Sequence, residues 1–188
     1  MLNHNVFSNN VLHTDQQERI NSLVQTENYR FWLGGFVEGE GTLVISITKS
    51  AKTTNGVILQ PEFNVAQHEN GLNILYSFKA LFNNQGSVHR KSGSDKVWVY
   101  SLKGIQNVKE LVLPFYASYV LLYSSKYRSD FYTNFSHIVN TLYENRKTTM
   151  DKEVLKDMVR VAYTLNPDGK GKQRKRSLEE ILDFIDTK

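Results

Sequence analysis

The sequence predicts an α+β fold in which helices cover one face of a four-stranded antiparallel sheet and a helical extension follows. Apolar residues recur with a period of two in four short segments, which is typical of strands that bury one face. Apolar residues between and after these segments recur at helical spacing, so the predicted order is α-β-β-α-β-β-α. With 188 residues and no internal repeat, the chain accommodates one such core.

The predicted elements divide the chain into three parts. An N-terminal arm over residues 1–28 includes a helix near Asp15–Gln25, the core covers residues 29–143, and a helical extension with a basic segment at 169–176 covers residues 144–188. The core begins with a helix over Tyr29–Glu38. Strands are predicted over residues 42–50, 57–68, 86–91 and 96–102, and further helices over residues 70–83, 104–111, 113–123, 127–143, 151–165 and 177–187. Pro61 in the second strand indicates an edge or a bulge.

The composition excludes several classes of protein. The absence of cysteine excludes disulfides, cysteine-ligated zinc and a thiol nucleophile. There is no run of about 18 apolar residues, so no membrane span is expected. The first residues resemble neither a signal peptide nor a transit peptide, so no targeting segment is expected.

The distribution of charge indicates a polyanionic partner. The formal net charge is +4. Residues 46–103 hold seven basic and three acidic side chains, and five of the eight residues in GKGKQRKR, Gly169–Arg176, are basic. Nucleic acid is a natural partner for such a distribution, although the tail alone is equally well explained as solvated surface.

The segment FWLGGFVEGEG, Phe31–Gly41, combines apolar residues with four glycines and two acids. Gly34 and Gly35 leave room for a second helix to approach closely, which predicts a dimer core. Gly39 is predicted to end the helix as a left-handed cap, so Glu40 follows where the helix dipole disfavours negative charge. Solvent or a hard divalent cation such as Mg²⁺ would offset that cost. In a two-fold dimer two Glu40 carboxylates would converge, which suits metal-assisted cleavage of both strands of a duplex.

These residues resemble a known family. LGGFVEGEG, Leu33–Gly41, is similar to the signature of the LAGLIDADG homing endonucleases, with Glu in place of both Asp. FNVAQH, Phe63–His68, resembles the segment that ends in the family's active-site glutamine, and the order of elements agrees with the homing endonuclease fold. PEFNVAQHENGLNILY, HRKSGS and LPFYASYV look most like single-motif members encoded in introns of organellar, particularly green-algal chloroplast, ribosomal RNA genes. The resemblance covers about residues 29–143.

The resemblance implies roles for individual residues. Glu40 would bind the metal, with the Gly39 carbonyl beside it, and Gln67 would position water in the active-site pocket. A basic residue is expected nearby, and Lys126 and Arg128 are both candidates. The implied cofactor is Mg²⁺, with Mn²⁺ able to substitute. The predicted dimer interface consists of Leu33, Gly34, Gly35, Val37 and Glu38, of which Glu38 is expected to serve structure more than catalysis.

The resemblance also implies that the outer face of the sheet lies in the major groove of double-stranded DNA. The predicted base-contacting positions on the two hairpins are Val44, Ser46, Thr48, Ser50, Glu62, Asn64, Ala66, His68 and His89. The predicted backbone-contacting residues are basic and comprise Lys49, Lys52, Arg90, Lys91, Lys96, Lys170, Lys172, Arg174, Lys175 and Arg176. The face that each residue of 96–101 occupies stays open, because alternate residues on both faces are apolar.

The function predicted from these features is that of a metal-dependent homing endonuclease located in an organelle. Because the chain carries one motif, two copies are needed to cut both strands of a long pseudo-palindromic site, leaving 3′ overhangs that initiate intron homing. One alternative is an RNA maturase that assists splicing of a group I host intron and binds that RNA. Two others are a non-catalytic DNA-binding protein and a fold match without a nucleic-acid partner.

Overall fold

The computed structural model describes residues 14–165 and 176–188. The helices are α1 Thr14–Leu23, α2 Glu27–Glu40, α3 Leu72–Leu81, α4 over residues 105–123, α5 Lys126–Glu144, α6 Lys152–Thr164 and α7 Leu178–Asp186. The strands are β1 Gly41–Lys49, β2 Val57–His68, β3 Ser87–Arg90 and β4 Val97–Lys103. The predicted α+β class and the predicted order of elements are confirmed. Among the described residues, no helix is long and apolar enough to span a membrane.

The four strands form one antiparallel sheet in the order β1-β2-β4-β3. The register places Gly41 opposite Val65, and Val65 opposite Tyr100. One face of the sheet packs against the helices and the other is open. The residues buried on the packed face include Leu43, Ile45, Leu59, Phe63, Val65, Tyr100 and Leu102. The predicted alternation of the first hairpin is therefore confirmed.

Pro61 lies where β2 has a neighbour on one side only. The pairing of β2 with β4 begins at Glu62, opposite Lys103. The Pro61 carbonyl accepts a hydrogen bond from the N–H of Gly104, 3.2 Å away, just past the end of β4. Because the nitrogen and carbonyl of a strand residue point to the same side, the missing N–H of proline also falls beyond β4. The edge predicted from Pro61 is thus a local one within an inner strand.

Helix α2 runs further than predicted. It continues through Gly39 and Glu40, and no left-handed residue ends it. Gly41 follows in an extended conformation, with φ −84° and ψ 144°, and its N–H donates to the Val37 carbonyl. A Cβ on Gly41 would lie 2.6 Å from Val37 Cγ1, so glycine is needed where α2 turns directly into β1. The predicted cap at Gly39 is wrong because the chain enters the sheet without reversing.

The helices predicted at 104–111 and 113–123 form one continuous segment, α4. Its backbone stays helical at Val112, which separates the two predicted helices. Widened turns at Val108–Val112 and Tyr116–Val120 flank Pro114. Proline lacks an N–H and its ring crowds the preceding turn, and a widened turn absorbs both effects without ending the helix.

Candidate active site and nucleic-acid interface

Glu40 lies at the junction between α2 and β1. Its side chain is exposed and, within residues 14–165 and 176–188, has neither a hydrogen-bond nor an ion-pair partner. The last carbonyls of α2, including that of Gly39, have no i+4 donor inside the helix. A carboxylate beside helix-terminal carbonyls is a set of oxygen donors that suits a hard divalent cation. The described residues hold no cluster of three or more His, Asp or Glu that could hold a metal ion.

Arg128, near the start of α5, holds the end of α2. Its Nη2 donates to the Glu38 carbonyl at 2.6 Å, its Nη1 donates to the Gly41 carbonyl at 3.4 Å, and its Nε lies 3.3 Å from Glu38 Oε2. Ser124 also donates to Glu38 Oε2, at 2.8 Å. Three contacts from one planar guanidinium fix the residues on both sides of Glu40.

Lys126 is placed differently from Arg128. Its side chain is 86% exposed and pairs with Asp130 one turn further along α5, at 2.6 Å. Within the described ranges it makes no hydrogen bond or ion pair with α2 or β1. Of the two predicted basic candidates, only Arg128 is brought to the motif.

Tyr116 lies behind the Glu38–Arg128 pair. Its side chain is fully buried, and its hydroxyl has no hydrogen-bond partner among the described residues. Burial raises the pKa of Tyr116, the nearby Arg128 charge lowers it and Glu38 raises it. The phenol therefore stays neutral at physiological pH and places an uncharged side chain near the Glu38–Arg128 ion pair.

Gln67 lies at the same end of the sheet as Glu40. Since Gly41 is opposite Val65, Gln67 extends two residues beyond the start of β1. Its amide oxygen accepts from the N–H of His68 at 2.7 Å, and its Cγ would lie 2.6 Å from a Cβ on Gly71. The side chain is half-buried, as expected of a residue on the packed face. Its Nε2 has no hydrogen-bond partner within the part of the chain that the structure describes.

The buried side of α2 differs from the predicted dimer interface. Leu33 and Val37 are completely buried in the core of their own chain. An ideal Cβ on Gly34 would lie 2.0 Å from the carbonyl oxygen of Tyr119 in α4, so Gly34 permits a contact within the chain. These three residues are not accessible to a partner, and their assignment to the interface is corrected. The mistake arises because the glycines of a pair point about 100° apart on a helix.

The exposed side of α2 carries the other glycines. A Cβ on Gly35 or Gly39 would meet nothing within 4 Å. Trp32 on the same helix is 48% exposed. Beside these residues runs a shallow groove between α2 and α4. It is lined by Phe31, Gly35, Glu38, Tyr119, Val120 and Tyr123.

The outer face of the sheet presents most of the predicted base-contacting residues. Val44, Ser46, Glu62, Asn64 and Ala66 are half-buried there. Thr48, His68 and His89 lie on the same face and are exposed, whereas Ser50 belongs to the turn, where its N–H donates to the Gly56 carbonyl. The register also settles the orientation of β4. Trp98, Tyr100 and Leu102 face the helices, and Val97, Val99, Ser101 and Lys103 face outward.

Two outer-face residues that sequence reasoning missed hold predicted ones in place. Lys103 Nζ lies 3.3 Å from Glu62 Oε2. Ser101 Oγ donates to Asn64 Oδ1 at 2.5 Å. Only the pairing of β2 with β4 shows these contacts, since the apolar pattern of β4 allows either face. The other outer-face positions absent from the prediction include Thr42, Ile58, Gln60 and Ser87.

The predicted basic contacts divide into three groups. Lys52, Lys91, Lys96 and Arg176 are exposed, whereas Lys170, Lys172, Arg174 and Lys175 lie outside the described residues. Lys49 is paired with Val57 on the packed face, and its ammonium lies 4.4 Å from the centre of the Phe184 ring. Arg90 is opposite Trp98 and lies over its ring at 5.5 Å. Lys49 and Arg90 therefore lie on the helix side of the sheet, and their predicted contacts with the DNA backbone stay predictions.

The sequence is similar to those of known endonucleases. A model of the LAGLIDADG endonuclease family matches residues 33–139. The DNA endonuclease I-CeuI of Chlamydomonas moewusii is 31% identical over 166 residues, which covers 88% of this chain and 76% of that protein. The homing endonuclease I-ApeII of Aeropyrum pernix is 24% identical over 155 residues, which covers 82% of this chain and 88% of that protein.

Solved structures are also similar. The group I intron-encoded homing endonuclease I-CeuI complexed with DNA has a TM-score of 0.74 and 27% identity, and the match covers 93% of this chain and 96% of the other. The archaeal intron-encoded homing endonuclease I-Vdi141I complexed with DNA also has a TM-score of 0.74, with 24% identity, covering 86% of this chain and 98% of the other. The similarity to I-Vdi141I, at 24% identity, is one of fold alone.

Proposed function

The chain belongs to the LAGLIDADG endonuclease family, and on that premise we propose that it is a site-specific homing endonuclease that acts as a homodimer. The dimer cuts both strands of a long pseudo-palindromic DNA target with a divalent metal and leaves 3′ overhangs that initiate intron homing. The observation that carries this proposal is Glu40, an exposed carboxylate without a partner among the described residues, at the junction between α2 and β1.

The donor atoms at this junction fit a divalent cation. Glu40 and the Gly39 carbonyl would hold the ion, and Mg²⁺ or Mn²⁺ matches oxygen donors of this kind. Such an ion, when bound, lowers the pKa of water and neutralises charge on the phosphate. This chain contributes a single exposed carboxylate at the junction, so the Glu40 of a second copy would complete the set.

The remaining site residues have positioning roles in this proposal. Arg128 anchors the carbonyls of Glu38 and Gly41, so the backbone on both sides of Glu40 is held while its carboxylate is free. Glu38 is occupied by Arg128 and Ser124 and serves structure. Gln67, at the same end of the sheet, would orient a water molecule through its amide nitrogen.

The exposed side of α2 supplies the proposed dimer contact. Gly35 and Gly39 leave the helix backbone open, and Trp32 and Tyr123, which are 48% and 81% exposed, lie on the same side of the molecule. A partner helix packed on this side would cover exposed apolar surface and bring two copies of Glu40 together. The interface proposed from the structure thus keeps Gly35 and Glu38 and adds Gly39 and Trp32.

The open face of the sheet would supply sequence recognition. Its outward side chains are hydrogen-bond donors and acceptors, spaced by about 6.6 Å along a strand because alternate residues share a face. A sheet of this kind enters the major groove, where each base pair presents a distinct pattern. Exposed Lys52, Lys91 and Lys96 near the two hairpin turns would contact phosphates.

A cleavage assay tests this proposal. The protein is incubated with Mg²⁺ and a plasmid that carries the intronless sequence of its host gene, and we expect a linear product. Glu40→Gln should abolish that product while DNA binding is kept. Glu27→Gln is the matched control, because Glu27 is an exposed carboxylate in the first turn of the same helix.

Other results would contradict the proposal. DNA binding without cleavage under both Mg²⁺ and Mn²⁺ would indicate a non-catalytic DNA-binding protein. Preferential binding of the host intron RNA, without cleavage of DNA, would indicate a maturase. The organellar location predicted from the sequence stays a prediction, which localisation of the encoding gene would check.

A further inference from the structure

The far half of the first hairpin is only two strands wide. Strand β2 pairs with β4 from Glu62 to His68, so residues 57–61 have β1 as their sole paired neighbour. A two-stranded ribbon is marginally stable by itself. This two-stranded part, residues 45–61, is called the hairpin tip. It lies furthest from α2 and therefore needs support from elsewhere in the chain.

The C-terminal extension supplies that support. Asn55 in the hairpin turn is 8% exposed, and its Nδ2 donates to the Met150 carbonyl at 2.7 Å. Gly56 has φ +73°, and a Cβ there would lie 2.8 Å from Phe184 Cε1 in α7. The same ring lies 4.4 Å beneath the ammonium of Lys49 at the end of β1. The end of β1 and the turn of the hairpin are therefore anchored to one surface of the C-terminal extension.

That surface is itself firmly held. Ile181 and Ile185 bury α7 in the common core. Lys156 of α6 bonds to Glu153 at 2.8 Å and also to Asp186 at the end of α7. These hydrogen bonds, above all that to Asp186, raise the pKa of Lys156, so it remains charged at neutral pH. The helices α6 and α7 thus form a single support under the hairpin.

We propose that α6 and α7 position the hairpin tip for base readout, and that Phe184 and Asn55 are positioning residues that set discrimination at the outer base pairs of each half-site. The proposal rests on the proposed endonuclease function. Glu40 precedes β1, and the eight residue steps from Gly41 to Lys49 span about 26 Å. At about 3.4 Å per base pair, the tip lies roughly eight base pairs outward from the strand's beginning.

The residues affected are those on the outer face of the two-stranded part. They are Ser46, Thr48, Ile58 and Gln60. A hydrogen bond to a base edge weakens steeply when donor and acceptor move out of line, so a tip that fluctuates cannot distinguish bases well. Residues near α2 lie on the four-stranded part and do not depend on this support.

Hydrogen exchange of the free protein tests the support. Phe184→Ala removes the ring under Gly56 and Lys49, and the backbone amides of residues 46–49 and 57–60 should exchange about tenfold faster. Amides between β2 and β4 should keep their rates. Glu179→Ala is the matched control, since Glu179 is exposed on the same helix. Equal rates at the tip in Phe184→Ala and wild type would overturn the proposal.

A cleavage profile tests the consequence for recognition. Targets with single substitutions at every position are cut by wild type, Phe184→Ala and Glu179→Ala, and the ratio of each rate to that of the parent target is compared. A wrong base pair at an outer position should lower the cleavage rate of wild type roughly 5- to 150-fold. The same base pair should lower the rate of Phe184→Ala less than about threefold. The ratios at central positions should be unchanged.

Simple destabilisation gives a different result. A loss of folded protein lowers every rate by the same factor and leaves the ratios unchanged, which would overturn the proposal. If Phe184→Ala does not fold, Asn55→Ala removes a single hydrogen bond and should relax the same outer positions. A wild-type protein that cuts no target contradicts the endonuclease function. If Phe184→Ala and Asn55→Ala both keep the wild-type cleavage profile, only the positioning role is contradicted.

Discussion

The contrast between Gly34 and Gly35 tests which side of α2 belongs to the core. A methyl group on Gly34 would lie 2.0 Å from the Tyr119 carbonyl oxygen and 2.7 Å from its carbon. A carbon and a carbonyl oxygen normally come no closer than about 3.3 Å, so α2 and α4 must separate by roughly 1.3 Å. The obstacle is backbone and cannot rotate away.

The expected effect follows from two opposing terms. Overpacking costs about 1–3 kcal/mol or somewhat more, and alanine gains about 1 kcal/mol over glycine inside a helix. For a backbone clash this short we take the upper end, so Gly34→Ala should lower the free energy of unfolding by about 2 kcal/mol. At about 2–4 °C per kcal/mol for a chain of this size, the Tm should fall by about 4–8 °C.

Gly35→Ala is the matched control. A methyl group there meets nothing within 4 Å, so only the gain in helix propensity remains in the isolated chain. We expect the Tm to rise by about 2–4 °C at protein concentrations where the chain is monomeric. In the proposed dimer the same methyl group would separate the two helices, and the Kd of dimerisation should rise by about tenfold or more.

Thermal unfolding followed by circular dichroism, together with sedimentation velocity, measures both effects. If Gly34→Ala leaves the Tm unchanged, the packing of α2 against α4 is wrong. If Gly35→Ala leaves the Kd of dimerisation unchanged while Gly34→Ala raises it without a change in Tm, the partner lies on the opposite side of α2 from the one proposed.

Two further predictions concern the site and the outer face. Arg128→Lys keeps the charge but loses the planar guanidinium that holds the carbonyls around Glu40, so the cleavage rate should fall roughly 10- to 100-fold while DNA binding is kept. Lys126→Ala is the control and should cleave DNA at the wild-type rate. Equal activity of the two variants in a single-turnover assay would contradict the role of Arg128. Ser101→Ala removes the hydrogen bond to Asn64 and should lower the free energy of unfolding by about 1 kcal/mol. The same variant should alter base discrimination at one position of each half-site, and a cleavage profile without such a change would show that Asn64 does not depend on Ser101.

Local patterns in the sequence predicted the elements well where one periodicity dominated. The prediction for β2 agrees with the structure at both ends, because every second residue from Val57 to Val65 is apolar and buried. The expected cap at Gly39 was wrong, since glycine also tolerates an ordinary helical conformation and nothing local shows that β1 begins two residues later. The break expected before Pro114 was wrong because a widened turn accommodates proline within a continuous helix.

The candidate site was predictable as a set of residue types and less so as a set of contacts. The motif identified Glu40, and the structure brings Arg128 to the same place from 88 positions later in the sequence, by packing α5 against the end of α2. Local spacing could not distinguish Arg128 from Lys126, since both begin the same helix and only one side chain is turned towards α2. Lys49 shows the converse. Its position near the turn predicts a phosphate contact, whereas in the structure its ammonium group lies over the Phe184 ring.

The amino-acid sequence was sufficient to identify the family, the order of elements, the faces of the first hairpin and the carboxylate at the end of the motif. Those properties depend on residue type and on short-range periodicity, which the chain carries locally. The tertiary structure alone decided which glycine of the pair faces the core, which basic residue holds α2 and which face of β4 is outward. It also showed that Phe184 of α7 lies beneath Lys49 at the end of β1. Each of these depends on contacts between segments far apart in the chain, and such contacts leave no periodic signal in either segment.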